Sequence, residues 1–202
     1  LLAAPSDQRW DRIGDRLGGI VSDVGLHRRL LKFRYSGILH LMIFSGFAVL
    51  LTAILQSFGS KLFPGFSLAP IGGQTWIALL QEIFALLILT GIGLAVWQRY
   101  ALRPQRFKGS SGTDAIVIYG LVIAVVITML LEFASNILAG GDSSAPWRPL
   151  SGALAAGVAQ LGVTPALAAA GRTLFSWMHI AAILAFLVYI PGSKHRHIFT
   201  AI

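Results

Sequence analysis

The chain of 202 residues has no cysteine, which excludes disulfides and any iron–sulfur cluster held by its own thiolates. Charge is also scarce. Only 12% of residues are Asp, Glu, Lys or Arg, and just 8 are acidic. The sequence contains no nucleotide-binding loop, hydrolytic triad, carboxylate-rich metal site, internal repeat or signal peptide. It has no initiating Met and stops at Ala201-Ile202, so it reads as a segment cut from a longer chain. What remains is apolar: 55% hydrophobic residues and a mean hydropathy of +0.74, a membrane composition. The net charge of +8 does not indicate a nucleic-acid partner, because the basic residues flank apolar runs, where membrane topology places them.

Four runs are long enough to cross a bilayer: Ser36–Phe58, Thr75–Trp97, Ala115–Leu138 and Thr173 to about Ile190. Residues 1–34 precede them as an amphipathic segment, with Trp10, Ile13, Leu17, Ile20, Val21 and Val24 at helical spacing between arginines. That segment suits an interfacial helix or a helix packed on a neighbouring domain. Residues 35–202 then form a transmembrane four-helix bundle of all-α class. The collar Arg28, Arg29, Lys32 and Arg34, the loop with Arg99, Arg103, Arg106 and Lys108, and the tail with Lys194 and Arg196 are basic. The other two connections hold only Lys61, and Arg148 with Arg172. The positive-inside rule puts both ends of the chain and the 98–114 loop in the cytoplasm. The Ala-rich stretch Ser151–Ala170 is expected to be a surface or half-inserted helix.

The last run carries three of the five histidines. His179 and His197 are 18 residues apart, which on a continuous helix is five turns and about 27 Å, on one face. Pro191 lies between them and is expected to bend the helix. His40, one turn inside the first run, falls at the level of His197, near the cytoplasmic face. Two neutral imidazoles on facing helices suit the iron of a b-type haem, and an intramembrane histidine is costly without a partner. Gly37 and Gly46 would leave room for a flat macrocycle. The plainer readings are a hydrogen-bonded core histidine for His40 and an interfacial basic residue for His197.

His179 lies near the outer face and lacks a partner. Leu51, Ile54 and Phe58 share the face of His40 and cannot bind iron, and Met129 reads more simply as core. His179 is either half of a second haem site or a neighbour of Glu82 and Glu132, which fall at a similar outer depth. Such a group could move protons for a quinone. Otherwise the two carboxyls are protonated or paired, with Arg172 as a mate. His27 reads as cytoplasmic surface, and His195 with His197 is a weak metal signal.

The runs Trp177-x-His179, Pro191-x-Ser193-Lys194-His195-x-His197, and Gly37-x-x-His40 with Gly46-Phe47 resemble a bacterial family. It comprises the membrane domains of Fe–S oxidoreductases, similar to the nitrate reductase gamma subunit and the membrane cytochrome of heterodisulfide reductase. Members include electron transfer flavoprotein:quinone oxidoreductases. The resemblance implies a respiratory b-type cytochrome in the inner membrane, passing electrons between quinone and cytoplasmic Fe–S or flavoprotein partners. It implies His40 and His197 as the cytoplasmic-side haem pair and His179 as one ligand of an outer haem. The expected opposite ligand, ten residues beyond His40, is Leu50. Such proteins also carry a further N-terminal span and a cysteine-rich cluster domain after the last helix.

The expected function is therefore electron transfer by haem b, one group with a second as a further candidate, with membrane lipid, quinone and an Fe–S domain or electron transfer flavoprotein as partners. The alternatives are a cofactor-free membrane anchor of a redox complex and a small proton-coupled transporter.

Overall fold

The computed structural model describes residues 12–25, 28, 30–105 and 112–193, and within them the chain is helical with no strand. A short helix α1 (Ile13–Gly19) precedes α2 (Arg34–Leu62), α3 (Trp76–Trp97), α4 (Gly112–Leu138), α5 (Pro149–Gln160) and α6 (Pro165–Tyr189). Four of these, α2, α3, α4 and α6, are long and apolar enough to cross a membrane, and the architecture is a helical membrane bundle. Their outward faces carry large apolar side chains such as Leu51, Leu86, Ile123 and Leu187, all more than a third exposed. Water would penalise such a surface and lipid does not. Hydroxyls in the spans turn back onto their own helix: Ser45 donates to the Leu41 carbonyl, Thr90 to Leu86 and Thr128 to Ala124. These three hydroxyls thereby meet an acceptor without water.

The helices pack as two extensive pairs, α2 on α3 and α4 on α6, with α5 laid on α4. Their shared core joins Leu50 and Ala53 of α2, Ala85, Ile88 and Ile92 of α3, and Ile118, Val122, Val126, Met129 and Leu130 of α4. Without a hydrophobic drive inside lipid, close fit holds these helices together. Gly46 shows this: a Cβ there would collide with Ile88 and press on the Phe84 carbonyl. The spaces beside Gly37 and Gly46 that the sequence reserved for a macrocycle are instead filled, by the Leu30–Leu31 backbone and by Ile88. Polar rungs fasten the end at which α2 begins, called here the near end. Tyr35 donates to the Leu94 carbonyl, Gln98 to Ser36 and Tyr189 to Asp114.

The spans are longer than the apolar runs alone suggested. The α2 helix continues through Lys61, and α4 begins at Gly112. The largest difference concerns the Ala-rich stretch, which is two helices. Gly162 takes φ +86, closing α5, and the Thr164 hydroxyl then accepts from the Leu167 N–H with Pro165 at the first helical position. A glycine C-cap followed by Thr-Pro stops one helix and starts another, so the fourth span begins eight residues before Thr173. At its other end α6 stops at Tyr189 and passes into a 3-10 turn, Ile190–Gly192. Pro191 removes the donor that would continue the α-helix. The five-turn alignment of His179 with His197 therefore does not hold on one unbroken helix. In α1, Ile13 and Leu17 are exposed. Trp10, most of the basic 98–114 loop beyond Gln105, and the tail from Lys194 lie outside the described residues.

Candidate functional site

At the far end of the bundle, where α2 ends and α3 begins, a polar network fills the interior. Glu82 of α3 is 2% exposed and Arg148, just before α5, is 6% exposed. Glu82 acts as an acceptor for the start of α5. The Ser151 N–H donates to Oε2 at 2.8 Å and the Ser151 hydroxyl to Oε1 at 2.6 Å. The first of these satisfies an orphan N–H of the helix N-terminus, where a carboxylate is favoured. Arg148 Nη1 stands 3.8 Å from Glu82 Oε1 and its Nε 3.7 Å from Asp142 Oδ2. Nη2 donates to Gln81 Oε1 at 3.1 Å and Nε to the Ser144 hydroxyl at 2.8 Å. The guanidinium lies over Phe133, 3.5 Å from the ring centre. Burial pulls the Arg148 pKa below its usual range, while Asp142, Glu82 and Glu132 push it back, and it stays a cation. Gln81 continues the network to α2 by donating to Thr52 at 3.0 Å.

Glu132 is placed differently. It lines a cavity of about 250 Å³ between α2, the 67–74 loop, α4 and the start of α6, together with Gln56, Ser57, Gln81, Arg148 and Arg172. Its Oε2 is buried and has no hydrogen-bond partner, and Arg148 Nη1 is in the same state. The expected mate Arg172 lies on the same cavity but bonds Asn136 Oδ1 at 3.2 Å. Arg148 is a buried cation that faces Glu82 and lines the cavity together with Glu132.

His179 is 1% exposed on α6, facing α4. Its Nδ1 lies 3.0 Å from the Val125 carbonyl oxygen and 3.3 Å from the Thr128 hydroxyl. A carbonyl only accepts, so Nδ1 carries the proton and Nε2 presents a bare lone pair. That Nε2 is buried without a partner. A ring fixed by Nδ1–H to a backbone carbonyl with its other nitrogen free is how proteins orient a metal-binding imidazole. A buried nitrogen without a partner is a donor that would suit haem iron. His179 thus sits at the level of Thr128, four residues or about one turn, ~6 Å, along α4 from Glu132. Glu82 pairs with Arg148, Glu132 lines a cavity that Arg148 also lines, and His179 bonds to α4 deeper in the bundle.

His40 on α2 is half-buried and stacks on Phe44, ring centres 6.4 Å apart. One further turn along, Phe47 stacks on Phe186 of α6 at 5.3 Å, so this stripe of α2 is the one that meets the last helix. His197, His195 and His27 lie outside the described residues. Leu50, where the resemblance implies an outer ligand, is 3% exposed in the hydrophobic core, and Met129 is 1% exposed beside it in the same cluster. Among the described residues no three His, Cys, Asp or Glu side chains converge as a metal site.

Sequence reasoning missed Arg148 and Ser151. The one available signal was Trp147-Arg148-Pro149, a charge directly ahead of a proline that opens a helix.

Nearly the whole chain is similar to the probable iron-sulfur-binding oxidoreductase FadF of Bacillus subtilis (strain 168), at 30% identity over 194 residues, 95% of this chain. The match covers 27% of that relative, so the chain spans about a quarter of its length. No known family model matches the chain, and no solved structure matches it. By sequence, this helical membrane bundle is akin to one part of an iron–sulfur oxidoreductase.

Proposed function

We propose that the chain is the electron-transferring membrane part of an iron–sulfur oxidoreductase in the bacterial inner membrane, with both of its ends on the cytoplasmic side. His40 and His197 hold a b-type haem near that face, and His179 presents one ligand toward a second haem nearer the outer face. When bound, haem supplies a one-electron relay across the bundle. The observation that carries this reading is His179: a fully buried imidazole, its proton fixed on Nδ1 by Val125 and Thr128, its Nε2 without a partner. An orphan nitrogen in a lipid-embedded core costs several kcal/mol, and coordination would relieve that cost. Similarity to a probable iron-sulfur-binding oxidoreductase supports a redox role and an Fe–S partner. Quinone is the membrane-phase substrate.

The two carboxylates then divide the work. Glu132 lines the cavity with a free oxygen and takes or gives the quinone's proton. Glu82 has both oxygens engaged by Ser151 and holds α5, and through Arg148 the floor of the cavity, in place. Leu50 has no atom that can bind iron, and Met129 packs in the same core cluster. The test is a reduced-minus-oxidised spectrum of the purified protein and its variants. His40→Ala and His197→Ala are each expected to abolish one and the same b-type α band. A band that survives either substitution rules out the pairing.

A further inference from the structure

We infer that the cavity between α2 and α4 seats the ring of the quinone, with Arg148 as the residue that binds a ring oxygen. This rests on the quinone reading above and gives it a location and a donor that neither the motifs nor the relative's description supplies. Most polar side chains around the cavity are already committed. Gln56 Oε1 accepts from the Leu68 N–H at 2.8 Å, and Gln81 uses its amide on Thr52 and its oxygen on Arg148. Two buried atoms on residues that line the cavity lack a hydrogen bond: Nη1 of Arg148, whose ion-pair partner Glu82 Oε1 stands at 3.8 Å, and Oε2 of Glu132.

That pair of leftovers selects the ligand's chemistry. An anion would meet Glu132 and Asp142, and a cation would meet Arg148 and Arg172. A neutral molecule with an acceptor oxygen and a donor hydroxyl satisfies both free atoms, which describes a quinol. Its carbonyl form loses only the bond to Glu132. A volume of about 250 Å³ is smaller than a pocket for a whole drug-sized ligand, roughly 300–1,000 Å³. It suits a ring whose tail lies outside, among the lipids. Exposed Ser60, Gln74 and Arg172 form the rim, while Ala53, Gln81 and Arg148 form the buried floor, so the ring enters from the rim toward Arg148.

The test uses the protein in lipid nanodiscs with a decyl-tailed benzoquinone carrying ¹³C at a ring carbonyl, read by infrared difference against empty nanodiscs and by equilibrium binding. The wild type is expected to shift the carbonyl band to lower frequency. Arg148→Gln should remove that shift and weaken binding about tenfold or more, as loss of a charge-assisted bond does. Ser57→Phe, which fills the cavity while leaving every buried ion pair in place, should abolish binding, and it decides the matter if Arg148→Gln does not fold. Glu132→Gln should weaken the quinol more than the quinone. Wild-type binding and band shift that persist in folded Arg148→Gln and Ser57→Phe overturn this location while leaving the quinone reading intact. A wild type that binds no quinone overturns that reading and this one with it.

Discussion

Replacing Glu82 with Gln separates the two buried carboxylates, which look equivalent in the sequence. The wild-type carboxylate accepts two hydrogen bonds from Ser151 and faces Arg148 at 3.8 Å. Glutamine keeps one oxygen and turns an NH2 toward a donor, so one charge-assisted bond is lost and one donor–donor contact is made. A bond to a charged acceptor is worth about 1.5–3 kcal/mol. Arg148 keeps Asp142, Gln81 and Ser144 as partners, which holds the total below the ~3–5 kcal/mol typical of a broken buried pair. The expected loss is about 3 kcal/mol. At about 2–4 °C per kcal/mol for a chain of this size, that lowers Tm by roughly 6–12 °C. Thermal unfolding in detergent gives the shift, and amide exchange should rise first at the start of α5. Glu82→Gln combined with Arg148→Met should cost less than the sum of the two, since they share one network. A Tm within about 2 °C of wild type, with α5 exchange unchanged, would refute the view that this carboxylate anchors α5.

Glu132→Gln, by contrast, should lower Tm less than Glu82→Gln does, because Oε2 has no hydrogen bond to lose, while lowering quinol turnover in membrane vesicles. Equal turnover would remove Glu132 from the proton path. His179→Leu should lower the haem-to-polypeptide ratio and spare the band that depends on His40 and His197; an unchanged ratio would make His179 a core residue only. Gly46→Ala forces a methyl onto Ile88 and should cost about 1–3 kcal/mol through separation of α2 from α3, read again as Tm.

The spans were legible because each is a long apolar run with few charges, and lipid demands little more of a sequence than that. Their ends were less so. Lys61 looked like loop but sits in the last turn of α2, where its chain reaches over Trp177, 4.9 Å from the ring centre. The break between α5 and α6 was written in Gly162 and Thr164-Pro165, but the alanine content around them masks it. The histidine and carboxylate positions were visible one at a time, because an ionisable residue in an apolar run stands out. Their partners were not. Arg148 meets Glu82 only because α5 folds back onto α3 and α4, a tertiary return that no local spacing encodes. The same holds for His179: its depth follows from counting residues, but the bond to Val125 that fixes its proton depends on how α6 is rotated against α4.

The central claim is that this bundle carries haem between α2 and the chain beyond α6. A pyridine haemochrome measurement per polypeptide, made on the wild type and on His40→Ala, tests it most directly. The account predicts at least one b-type haem in the wild type and the loss of one in His40→Ala. Purified, folded protein without a b-type α band would contradict it.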